Sequence, residues 1–196
     1  MTSDNLLKFL KSMFFSTVDK WQAMSTVLTL NAGNALSMEY KAGIICWDKA
    51  GKLEEFSSKE LGKIISEGDQ GTVTTFKVID EKGDTAWLIL SDDNFEDLIS
   101  SAYTVSNAIS DLISSDFIIG LILKFSTLDI DFLSEKTATD KYLVFNENPL
   151  GFYPLVYAGS ERQYFDELQI ADFLKTSGLF MNKNRNNWYS VEKIPF

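Results

Sequence analysis

The stretch "FIIGLILKF", Phe117–Phe125, limits the possible folds of this chain more than any other. It is far short of the roughly 20 apolar residues that a spanning helix needs. It also lacks the alternation of apolar and polar residues that marks a strand with one wet face. Such a run reads as a strand buried on both faces, or nearly so. The chain must therefore build a sheet around it and cover that sheet.

The neighbouring segments supply partners for such a strand. "TVTTFKVID" and "TAWLILS" flank "EKGD", with Gly83 where a tight turn calls for positive φ, and predict a hairpin. Ala42–Asp48 is a short apolar strand ended by "DKAGK". Lys141–Asn146 is another strand, joined to the first by a polar loop from about Thr127 to Asp140.

Helical periods lie between these runs. Phe95, Leu98, Ile99, Ala102, Val105, Ile109, Leu112 and Ile113 form one stripe, predicting a long amphipathic helix over Asp93–Ser115. Its opposite face is mild enough to be partly covered. Thr17 to about Asn34 reads as a helix stopped by "AGN". Ser57 with Glu60, Asp93 with Glu96 and Ser160 with Gln163 have capping-box spacing. The last helix carries Tyr164, Leu168, Ala171 and Leu174 and stops at Gly178. These elements predict an α+β fold: a mostly antiparallel sheet with helices packed on one face and at the edges. With no repeat, low-complexity run or linker, residues 1–196 are expected to form a single domain.

Asn5–Phe15 reads as a short helix with a wide apolar arc of Leu6, Leu7, Phe9, Leu10, Met13 and Phe14. Three readings compete: it closes its own core, docks on a partner protein through residues such as Phe9 and Met13, or lies on a membrane surface. The tail, "LFMNKNRNNWYSVEKIPF", sets a basic-polar patch beside apolar anchors Trp188, Tyr189, Val191 and Phe196.

Composition narrows function. The net charge of −10 opposes binding to phosphate backbones and simple adhesion to anionic lipid. The absence of histidine removes the usual zinc sites, Ser-His and Cys-His pairs and the commonest general base. Cys46, the single cysteine, lies in the apolar "AGIICWD" and is expected to be a buried small hydrophobe. One cysteine and no signal-peptide pattern point to a cytoplasmic address. Phosphate-binding glycine loops, a nucleophile elbow and C-x-x-C are all missing. Asp80, Glu81 and Asp84, and Asp129 with Asp131, are read as a solvated turn and a charged loop rather than metal sites. No cofactor is expected.

The segment from Asn146 to Leu168, "NENPLGFYPLVYAGSERQYFDEL", has two readings. In one it is a rigid β-to-α corner that seats the last helix. In the other, alternate residues of its extended run present an aromatic patch to a partner, with Phe152, Tyr153, Tyr157 and Arg162 as interaction residues.

Three blocks, "TVLTLNAGNALSMEYKAGIICWD", "AWLILSDDNFEDLISSAYTVSNAISDLISSDFIIGLILKF" and "GFYPLVYAGSERQYFDELQIADFL" with its "NNWYSVEKIPF" ending, stand in an order and spacing that resemble the PspA-associated protein B family. The resemblance implies a non-catalytic, cytoplasmic accessory of the phage-shock envelope-stress system. It implies PspA, a coiled-coil relative of ESCRT-III, as partner, with membrane contact at most peripheral or through that partner. It carries over no catalytic residue. Phe152, Tyr153 and Pro154 match the family's "FYP" block, and Glu161 and Arg162 its "ER" position. The element order also resembles the folds of type III secretion chaperones and YbjN-like proteins. The alternatives are a chaperone-like module that holds an extended segment of a partner, and a carboxylate-dependent enzyme. A homo-oligomer is compatible with either binding reading.

Overall fold

The computed structural model describes residues 18–33, 36–66, 73–81, 83–128, 139–191 and 193–196. The expected N-terminal helix, with Phe9 and Met13, lies outside these residues, as do Asp129, Asp131 and most of the loop between Thr127 and Asp140.

Seven strands form one antiparallel sheet: β1 (Leu36–Trp47), β2 (Thr75–Asp80), β3 (Thr85–Ser91), β4 (Ile118–Leu128), β5 (Thr139–Glu147), β6 (Leu150–Ala158) and β7 (Glu161–Arg162). Their order is β2-β3-β1-β4-β5-β6-β7. β4 holds the central place that its unbroken apolar run demands. Leu121 and Leu123 point into one core and Ile122 into another, and all three are buried.

Four helices occur among the described residues. Three of them are α1 (Lys20–Ala32), α3 (Phe95–Leu112) and α4 (Tyr164–Thr176). The fourth, α2, is a composite run in which Lys52–Phe56 and Gly62–Ser66 flank a π-helical turn, Ser57–Leu61. The expected α+β architecture is present. The larger core joins Met24 and Val27 of α1, Leu53 and Leu61 of α2, Leu98 and Val105 of α3 and Ile170 and Leu174 of α4 to one face of the sheet. The mild face of α3 is partly covered, as expected, with Thr104 left exposed. Trp21 of α1 meets Tyr103 edge-on at 5.2 Å, and the Lys20 ammonium donates to Asn107 Oδ1.

The helix starts fall where local hydrogen bonds dictate, not always at the sequence signals. α1 opens with a capping box that sequence spacing did not single out, Asp19 with Gln22. α2 begins five residues before Ser57. There Asp48 Oδ1 and Oδ2 accept the free N–H groups of Lys52 and Leu53, so Ser57 falls mid-run. Asn94 rather than Asp93 caps α3, accepting from Glu96 N and Asp97 N. Ser160 sits in the turn before β7, and α4 starts at Tyr164 with no side-chain cap.

The Asn146–Leu168 segment leads from the sheet into the last helix, as in the first of its two readings, but it is more than a corner. It contains the tight β5–β6 hairpin, with a cis Asn148–Pro149 bond, and then the full nine-residue strand β6. Nine register pairs, from Thr139↔Ala158 to Glu147↔Leu150, make it part of the sheet proper. β1 likewise starts at Leu36, six residues before the expected strand. Register irregularities against β4 between Ser37 and Ala42 break its alternation and hide it from a periodicity reading.

Candidate functional site

The sheet face opposite the helices carries its own set of side chains. Trp87 and Ile89 of β3, Ile45 of β1, Ile122 of β4, Val144 and Tyr142 of β5 and Tyr153 and Leu155 of β6 form a second buried cluster. No helix covers it. The chain's last residues do.

After α4 the backbone turns at Gly178 and passes along the outer edge of β6. Phe152 N donates to Phe180 O at 2.8 Å, and Asn182 N to Phe152 O at 2.7 Å. Gly151 makes this approach possible. Its φ is +132°, and a Cβ there would lie 2.6 Å from Asn182 N. The buried Asn182 fixes the crossing, with its amide Nδ2 donating to Pro149 O and its Oδ1 accepting from Asn184 N. A short 3₁₀ turn, Arg185–Asn187, then leads into residues 188–191 and 193–196, which cross the second face as a strap outside helix and strand, with Lys193 at φ +55°.

Two kinds of contact hold the strap. The first reads its main chain. Tyr153 Oη donates to Tyr189 O at 3.2 Å, Tyr157 Oη to Val191 O at 3.1 Å and Tyr142 Oη to Phe196 O at 3.4 Å. Arg162 Nη1 donates to Trp188 O and to Ser190 Oγ, both at 3.0 Å. The second kind seats side chains. The Trp188 indole stacks on Tyr153, with ring centroids 5.7 Å apart and planes 12° apart. Val191 is buried in the cluster. Phe196 meets Trp87 and Tyr142 edge-on, over Gly43. A Cβ on Gly43 would stand 2.6 Å from the Phe196 ring and 3.0 Å from Trp87, so glycine leaves a slot that fits a ring.

Arg162 is itself anchored. Its Nε and Nη2 pair with the two carboxylate oxygens of Glu167 at 2.8 and 3.0 Å, and Glu167 is only 1% exposed. Glu167 Oε1 also accepts the Val156 N–H. Burial alone would lower the Arg162 pKa, but the Glu167 carboxylate outweighs it and the guanidinium is held above its usual value. α4 thus fixes a cation at the sheet edge, with one nitrogen left to grip the strap.

Burial sets the protonation states here. It pushes the Tyr142 phenol up to about 12, helped by Asp140 and Glu39. It raises Tyr153 as well, more than Arg162 lowers it. Both are therefore neutral O–H donors across the physiological range. Cys46 is buried as expected, and burial followed by Asp48 drives its thiol far upward, away from the nucleophilic thiolate.

The arrangement can hold an extended peptide through its carbonyl groups while selecting side chains at fixed places. The structure brings Tyr153, Tyr157 and Arg162 together, but as clamps on the chain's own strap. Tyr153 is buried beneath Trp188, and Phe152 faces the helical core at 4.9 Å from Phe145, so neither lies on open surface. Gly43, Tyr142 and Glu167 were missed, since nothing local marks them. Open surface is instead offered by Tyr164 and Phe165, 63% and 70% exposed. Among the described residues no cluster of His, Cys, Asp or Glu has metal-site geometry, and no helix is long and apolar enough to cross a membrane.

Comparison with known families bears on the same residues. A family profile described as PspA associated protein B matches residues 3–196. This chain belongs to the PspA associated protein B family. The match takes in all seven strands, the strap and the Arg162–Glu167 pair, so the strapped face falls within the family region. The family description supports a role associated with PspA. No curated protein and no solved structure matches the chain.

Proposed function

We propose that this protein is a non-catalytic binding accessory of PspA, acting in a membrane-stress response at the cytoplasmic side of the membrane. Family membership over residues 3–196 carries this reading. The face geometry supports it: the phenols and guanidinium that a reaction would need donate to carbonyls of the strap. Among the large side chains that stand outward, Tyr164 and Phe165 beside Arg162 are of the kind that anchor protein interfaces. The net charge of −10 suits steering toward basic faces of a coiled-coil partner.

Co-purification from the native host tests the reading. A tagged chain is expected to retain the host's PspA at low salt and to release it as ionic strength rises. Failure to recover PspA from either partner's tag would overturn it. A second reading, a module that holds an extended segment of another protein, is favoured by one observation: a segment outside helix and strand already lies on the face, held largely by its carbonyls.

A further inference from the structure

We propose that the tyrosine-lined sheet face is a peptide-binding surface, and that residues 188–196 are its internal ligand, displaced by a net-basic extended segment of a partner protein. This deepens the binding reading above by naming the surface and the chemistry of its occupant.

Three observations carry it. First, among the described residues, four of the five polar contacts that the face makes with the strap go to carbonyls, at residues 188, 189, 191 and 196, which any peptide presents, and the fifth goes to the Ser190 hydroxyl. Second, the face has more room than the strap fills. A groove of about 490 Å³ runs between Val191, Lys193 and Ile194 on one side and Asp140, Tyr142 and Tyr157 on the other. A second groove of about 260 Å³ lies between Tyr189 and the Ile45–Ile119 side of the sheet. Third, the body is acidic. Residues 188–196 carry Lys193 against Glu192, a net of zero, so the rest of the chain keeps the whole −10, which suits a basic occupant.

The occupant follows from these features. It has an aromatic residue, an aliphatic one three positions later and a second aromatic five beyond that, as Trp188, Val191 and Phe196 do. A partner's segment fits better than the strap of a second copy. Lys183–Asn187, the link a swap would have to stretch, is folded into a hydrogen-bonded turn by Asn182 and Asn184. A tethered strap competes at an effective concentration on the order of millimolar, so weakening it exposes the face.

The test titrates a fluorescein-labelled peptide of residues 183–196 into the full chain and into the full chain carrying W188A and F196A, read by anisotropy. The variant is expected to bind the peptide about tenfold or more tightly than the native chain. Adding Gly43→Leu, which fills the ring slot, is expected to abolish that gain. A folded variant that does not bind, or binding indifferent to Gly43→Leu, overturns the proposal. A dimer that grows with concentration in size-exclusion with light scattering, and accounts for the uptake, assigns the face to a second copy and overturns the partner reading. Limited proteolysis of the native chain decides the matter if the variant does not fold. Tryptic cleavage after Lys193 is expected about 100-fold or more faster than global unfolding. Cleavage of the strap only with global unfolding overturns the proposal. None of these outcomes depends on PspA, so they separate this inference from the co-purification result.

Discussion

At the scale of the residue, Glu167 and Tyr142 show how burial turns ordinary polar groups into structural parts. The Glu167 carboxylate is almost fully removed from water yet satisfied three times, by Arg162 Nε, Arg162 Nη2 and Val156 N. Removing one member of a buried, bonded pair strands the other and costs several kcal/mol. Glu167→Gln is therefore expected to lower unfolding free energy by about 3 kcal/mol in denaturant titration. It should also loosen the strap, because Arg162 loses its anchor. Tyr142 sets a pH limit. Its phenol titrates near 10 in an open chain and is pushed up to about 12 in the fold. The fold favours the neutral form, so this contribution to stability is complete below pH 10 and is lost as pH rises through 12. Thermal melts are expected to weaken over that window, and Tyr142→Phe to flatten the loss. Little of this was legible beforehand. "ER" and "DEL" stand side by side in sequence, but the Arg162–Glu167 pair exists only because β7 and α4 meet at the sheet edge.

At the scale of the element, patterns with a strong period were legible and those set by distant contacts were not. The β2–β3 hairpin and the stripe of α3 stand where their alternation and 3.6-residue period place them. The starts of α2 and α4 shifted because Asp48, outside the expected helix, caps α2, and because β7 takes the residues before α4. The strap has no period to read. Its anchors Trp188, Val191 and Phe196 were visible as residues, but their target, a face built by β1, β3, β4, β5 and β6, was not. Gly43 ties the strap to that face. Gly43→Ala puts a methyl where the Phe196 ring lies and should force the strap's end outward. The expected cost is about 1–2 kcal/mol, an overpacking value. Faster proteolysis within residues 188–196, with the sheet core intact, is the accompanying signature.

For the whole molecule, the central position of β4 could be reasoned from "FIIGLILKF" alone, since a strand apolar on both faces needs cover on both. The helices were expected to supply that cover on one face. The other cover, the chain's own tail wrapped around β6, joins the fold to the function proposed here. A protein that closes its binding face with its own segment must open it for a partner. The most direct measurement is limited proteolysis of the full chain, alone and saturated with PspA. Tryptic cleavage after Lys193 is expected to quicken on complex formation, while β5 and β6 stay uncut. A complex that forms with cleavage of the strap unchanged would contradict the account, because PspA would then be bound somewhere other than the strapped face.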